Sequence, residues 1–192
     1  MSKIDYYIPL YQNKIYHIYN RGNGKEKIFY KRENYLYFLT QYEKFISEFV
    51  DTFAFCLLPN HFHLLIRIKQ VEPEVISEAF RKFFISYSMS INKQEQRKGS
   101  LFQRGFKRKL IEGEKYFYSA VYYIHSNPVH HGLIKDLTKY KFSSFFLLAG
   151  EKETKLCRNE VMEWFGSKEN FVRYHTELKR KTNDNSFMIE DD

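Results

Sequence analysis

Two short apolar runs, Phe53 to Leu58 and His61 to Ile68, stand with only Pro59-Asn60 between them. Proline cannot donate to a sheet ladder and is confined to edges and turns, so the pair reads as an antiparallel hairpin turning at Pro59-Asn60. The turn sets the register, and register decides which side chains share a face, because residues i and i+2 of a strand point the same way. His61 and His63 are therefore expected to project together, about 7 Å apart at Cα, with Phe62 turned into the core. Two imidazoles so placed suit one divalent metal, and a bare His-x-His pair is equally well read as polar surface.

The rest of the chain alternates strand-like and helix-like segments. Lys14 to Asn20 has a period of two and is aromatic and β-branched, which predicts a strand ending at the Arg21-Gly22-Asn23-Gly24 turn. From about Glu33 to Phe49, apolar residues recur at spacings of three and four, the pattern of an amphipathic helix. A second helix is expected from about Glu74 to Gln96, opened by Pro73, and then a loop. A third is expected over roughly Glu114 to Ser126, with Asn127-Pro128 stopping it because the residue before proline disfavours αR. This order predicts an α+β sandwich, one antiparallel sheet with helices packed on one face. After about Glu151, Val161 to Phe165 and Phe171 to Tyr174 read as two short helices of a C-terminal appendage, and Lys179 to Asp192 as a disordered tail.

Composition narrows the function classes. The 192 residues include 19 Phe, 16 Tyr and one Trp against 8 Gly and 4 Pro, which excludes collagen-like and low-complexity chains. Cys56 and Cys157 are the two cysteines, too few for a disulfide framework or a Cys-rich zinc site. With no apolar stretch of bilayer length and no secretory signal pattern at Met1 to Tyr7, the expectation is a cytoplasmic chain without a membrane partner. Lys and Arg number 31 against 23 Asp and Glu, a net charge of +8, which favours an anionic partner.

In the third helix, Tyr123 and Asn127 are i and i+4 and share a face, with Tyr122 pointing elsewhere. The Asn127 amide oxygen could join a metal held by the histidines, with the Tyr123 hydroxyl beside it. A tyrosine in a chain with 16 of them is, taken alone, a packing residue. At a pKa near 10 only about 0.1% is phenolate at neutral pH, so attack on phosphorus needs a metal to polarise the phosphate. Each motif supplies what the other lacks.

Four blocks in order, Tyr16-His17-Ile18-Tyr19-Asn20-Arg21-Gly22, Leu58-Pro59-Asn60-His61-Phe62-His63-Leu64-Leu65, Gly99-Ser100-Leu101-Phe102-Gln103 with Phe106-Lys107, and Tyr123-Ile124-His125-Ser126-Asn127-Pro128-Val129, resemble the single-tyrosine HUH transposases, within them the REP-associated tyrosine transposases. The resemblance covers about Lys14 to Phe146. It implies the ferredoxin-like, RRM-related antiparallel sandwich of Rep-type nucleases. It also implies His61 and His63 as the metal histidines, Tyr123 as the nucleophile and Asn127 as the residue completing the metal site. Family members often continue Asn-Pro-Val with Arg-Ala-Gly, where this chain has His130-His131-Gly132.

The activity so implied is metal-dependent nicking and rejoining of single-stranded DNA through a 5′-phosphotyrosine, with Mg²⁺ or Mn²⁺ as cofactor, a hairpin-forming repeat as partner, and a monomer or homodimer as the working unit. Arg104, Lys107, Arg108 and Lys109 interleave with Phe106 as single-strand binders do and are expected to hold the DNA. The expected organisation is a catalytic domain over 1–150, a helical appendage over 151–180 and a tail over 181–192. Two other readings fit the same residues, a non-catalytic RRM-like binder of single-stranded nucleic acid and a metal phosphoesterase using water.

Overall fold

The computed structural model describes residues 8–177, so the tail expected over 181–192 lies outside the described residues. The elements run β1 (Ile15–Arg21), a 3₁₀ turn (Asn23–Lys25), α1 (Arg32–Phe45), β2 (Val50–Leu58), β3 (His61–Ile68), α2 (Pro73–Gln94), β4 (Lys107–Ile111) and α3 (Glu114–His130). A second 3₁₀ turn (Leu137–Lys139), α4 (Phe145–Ala149), α5 (Arg158–Phe165) and α6 (Lys168–Glu177) follow. The sheet is antiparallel in the order β2-β3-β1-β4. The hairpin turns at Pro59-Asn60, where the Pro59 carbonyl accepts from the Ile28 and Phe29 amides, at 2.8 and 3.0 Å, fastening the loop before α1.

Strand alternation divides the core in two. Tyr16, Ile18, Phe62, Leu64 and Ile66 face α1 and α2, where Phe38, Phe80, Phe83 and Tyr87 meet them. Phe62 is fully buried, as the alternation predicts. The opposite face carries His17 and Tyr19 on β1 and His61, His63 and Leu65 on β3, and α3 lies over it through Phe117, Val121 and Ile124. Helices thus flank both faces, because α3 has an apolar stripe of its own to bury. The C-terminal helices extend that second layer: Phe165 and Phe171 join the α3 core, and Trp164 packs on Phe117 at 4.4 Å.

Two expectations need correction. The segment read as a loop after α2 contains β4, which pairs with β1 from Ile15↔Ile111 to Tyr19↔Lys107. Three successive basic residues obscure its alternation, and they are the kind of side chains an edge strand tolerates. Nor does α3 stop at Ser126; it runs through Pro128 to His130. A proline in the last turn forgoes one helical donor. The chain closes beyond it instead: His131 N–H donates to the Asn127 carbonyl, Leu133 N–H donates to the Pro128 carbonyl, and Gly132 takes a positive φ of 67°. Among the described residues no helix is long and apolar enough to cross a membrane.

Candidate metal and nucleophile site

The crossing of α3 over the ends of β1 and β3 gathers the expected residues. His61 and His63 stand on one face of β3, their rings perpendicular with centroids 5.1 Å apart. Tyr123 comes down from α3, edge-on to His63 at 5.7 Å and to His17 at 5.9 Å. Asn127, one turn on and buried, donates from Nδ2 to the Tyr123 carbonyl at 3.0 Å, which turns its amide oxygen the other way. Its side chain lies close enough to His61 and His63 to favour their protonated forms slightly, as a nearby oxygen would. Tyr122 leaves on another face, against Tyr174 and His175.

Burial dominates the electrostatics. It holds His61 and His17 down to about 3 and His63 well below the ordinary imidazole value, so all three are neutral at physiological pH. Neutral imidazole is the form that ligates metal. Each site histidine also has Nδ1 engaged by the protein, His61 with Asn60 Oδ1 at 2.7 Å and His63 with His17 Nε2 at 2.9 Å. His61 Nε2 is buried with no hydrogen-bond partner among the described residues. A buried polar atom left so is costly unless something polar meets it. Among the described residues no three His, Cys, Asp or Glu side chains are placed to hold a metal. Two neutral imidazoles and one amide oxygen could together hold a divalent cation that keeps positions for phosphate oxygens and water.

Beside His61 opens a cavity of about 210 Å³ lined by Arg21, Lys25, Asn60, Gln103, Lys107 and His131, among others. Lys107 is nearly buried and lies over the Tyr19 ring at 5.4 Å. The basic run expected to hold DNA does not form a single face. Lys107 and Lys109, opposite Tyr19 and His17 in β1, share the histidine side. Arg108 turns to the other side, stacks on Phe106 at 4.1 Å and donates to the Ile8 carbonyl at 2.9 Å. Arg104 is exposed and lines a groove between α2 and residues 99–106.

Sequence reasoning passed over His17, Tyr19 and His131. His17 packs against Tyr19 and His63, at 4.8 and 5.1 Å, and the period of two in β1 was the available signal. His131, in the stretch noted as departing from the family pattern, packs edge-on against His61 at 4.6 Å. The Gly99 to Gln103 block also reaches the site: Asn23 N–H donates to the Leu101 carbonyl and Gln103 N–H to the Arg21 carbonyl, both at 2.9 Å, so all four motif blocks meet at one end of the sheet.

No family model matches the chain. It is 30% identical over 103 residues, half of its length, to a protein of Haemophilus influenzae (strain ATCC 51907 / DSM 11121 / KW20 / Rd) assigned to the REP-associated tyrosine transposases. The match spans 58% of that relative's length. Among solved structures, a REP-associated tyrosine transposase bound to a REP hairpin superposes with a TM-score of 0.61 at 19% identity, over 77% of this chain and 84% of the other. At that identity the likeness shows the fold. The relative by sequence and the neighbour by fold are both identified as REP-associated tyrosine transposases, the group that this chain resembles in its own four motif blocks.

Proposed function

We propose that this protein is a metal-dependent transesterase that nicks and rejoins single-stranded DNA through Tyr123, on a hairpin-forming repeat such as the solved neighbour binds. The observation that carries the reading is the convergence, from β3 and α3, of two neutral imidazoles, an amide oxygen and one tyrosine ring. His61 and His63 would hold the cation through Nε2 and Asn127 through its amide oxygen. A bound Mg²⁺ or Mn²⁺ supplies charge neutralisation and polarisation of the scissile phosphate. The Tyr123 oxygen, losing its proton, forms a bond to phosphorus while the bond from phosphorus to the 3′-oxygen breaks. That oxygen takes up a proton and leaves as a 3′-hydroxyl, with the 5′-phosphate on Tyr123. Attack by another 3′-hydroxyl reverses the step and rejoins strands without ATP, because the phosphotyrosine conserves the ester bond. Arg21, Lys25 and Lys107 line the adjacent cavity and supply positive charge for the flanking phosphates.

The test is covalent capture. Single strands from the DNA flanking the gene, labelled on the 3′ side of the expected cut, are incubated with protein and Mg²⁺ or Mn²⁺ and run on denaturing gels. Label should migrate with the protein for the wild type and for Tyr122→Phe, and not for Tyr123→Phe, whose DNA affinity should stay within about threefold because only one oxygen is removed. Cleavage without an adduct would assign the site to water-based hydrolysis. Binding without cleavage would leave a non-catalytic binder.

A further inference from the structure

His17 has no role in the scheme above, yet it touches both His63 and Tyr123. It stands on the central strand β1, almost fully buried, against the rings of both Tyr19 and His63 and edge-on to Tyr123. Its Nε2 and the His63 Nδ1 share a hydrogen bond of 2.9 Å between residues 46 apart in the chain. A neutral imidazole has one N–H, so this bond has two directions. If His17 donates, His63 carries its proton on Nε2 and has no lone pair there for a metal. If His63 donates from Nδ1, its Nε2 lone pair is available. The other nitrogen of His17, Nδ1, has no hydrogen-bond partner among the described residues, so no contact there fixes the direction.

We infer that His17 is the positioning residue of the metal centre: it accepts from His63 Nδ1–H and so holds His63 as the tautomer, and in the ring orientation, that presents the Nε2 lone pair to the cation. Metal-bound histidines commonly donate their second ring N–H to a fixed acceptor, usually a carboxylate, carbonyl or water, and removing that acceptor weakens metal binding about 10–100-fold. Here a neutral imidazole takes that place. His61 is served in the same way by Asn60 Oδ1, so each histidine has its own acceptor, one from the hairpin turn and one from the neighbouring strand. The inference rests on the reading that His61 and His63 hold a metal, and its consequences can be measured without DNA.

The experiment measures Mn²⁺ affinity by electron paramagnetic resonance of the free ion, for the wild type, His17→Phe, His17→Gln and His63→Ala, with circular dichroism to establish folding. His17→Phe keeps the stacked ring and removes the acceptor, and its affinity should fall about 10–100-fold. His17→Gln restores an accepting oxygen and should return to within about threefold of the wild type, a rescue that a purely packing role would not give. Independently, the ¹⁵N tautomer pattern of His63 in Mg²⁺-saturated wild-type protein should show the proton on Nδ1, which needs no variant to fold. A proton on Nε2 there, or unchanged Mn²⁺ affinity in a folded His17→Phe, overturns the role of His17. If His63→Ala binds Mn²⁺ as well as the wild type, the metal-site reading falls and the inference falls with it. If His63→Ala loses the ion and His17→Phe does not, only the inference falls.

Discussion

Acid should destabilise this protein in part through a pair of buried histidines packed among the C-terminal helices. His125 on α3 and His175 on α6 share a hydrogen bond of 2.8 Å, and the chain of donors around them runs one way. His175 Nδ1–H donates to the Phe171 carbonyl at 2.8 Å, which leaves its Nε2 to accept from His125 Nδ1–H; His125 Nε2 then accepts from the Ser144 hydroxyl at 2.7 Å. Both rings must be neutral for this to hold. Burial depresses His175 to about 4 and His125 well below its ordinary value. Between about pH 4 and 6.5 the unfolded chain takes up protons that the folded chain refuses. Stability is therefore complete above about pH 6.5 and declines as the pH falls. A shift from 6.5 to about 4 corresponds to roughly 3 kcal/mol for His175 alone, a large part of the 5–15 kcal/mol typical of a domain. Trp164, packed on Phe117 near this pair, is the one tryptophan of the chain and reports unfolding by fluorescence. Urea titrations in EDTA between pH 7.5 and 5 should show free energies falling more steeply for the wild type than for His175→Gln, by close to one proton, or about 1.4 kcal/mol per pH unit. Equal slopes for the two proteins would refute the argument.

Other outcomes follow from the sheet. Phe62→Ala should cost about 3–5 kcal/mol in urea unfolding, since the ring is wholly buried between the sheet and α1 and α2, whereas His61→Ala should lose Mn²⁺ binding and remain folded. Lys107→Ala should lower the slope of log affinity against log salt for single-stranded DNA by about 0.7, the value for one phosphate contact on a single strand, measured by fluorescence anisotropy. Arg108→Ala, on the other side of the sheet, should leave that slope unchanged and act on stability. Gly22→Ala would bring a Cβ within 1.9 Å of the Glu26 carbonyl oxygen, so the turn after β1 must shift; a drop in melting temperature checks it.

The hairpin and the α3 pair were legible because their signals are local. Pro59-Asn60 marks the turn, alternation aims His61 and His63 together, and the i, i+4 relation of Tyr123 and Asn127 fixes a helix face whatever else the chain does. His17 was not legible as a partner, because its meaning depends on β1 pairing with β3 in the register Tyr19↔His63, a contact between distant segments. The strand β4 hid for a related reason: Lys107, Arg108 and Lys109 look solvated on both faces, and only the edge position beside β1 makes that pattern a strand. Pro128 misled because a local stop signal was outweighed by the capping of the final turn, where the Pro128 carbonyl accepts from Leu133 N–H. The acidic-side vulnerability at His125 and His175 was illegible too, since neither residue signals the other across the 50 positions between them.

The two last helices bear on how such a chain can be inherited. The helix that carries Tyr123 is clamped from behind by Phe165 and Phe171, sharing one apolar cluster with Phe117, Val121 and Ile124, and Arg67 on β3 reaches Glu160 on α5 at 2.6 Å. A gene fragment ending at Gly150 would translate into a sheet whose Tyr123 helix shows that cluster to water. A breakpoint between α4 and α5 separates Tyr123 from the packing that seats its helix, so the last two helices travel with α3 as one heritable unit.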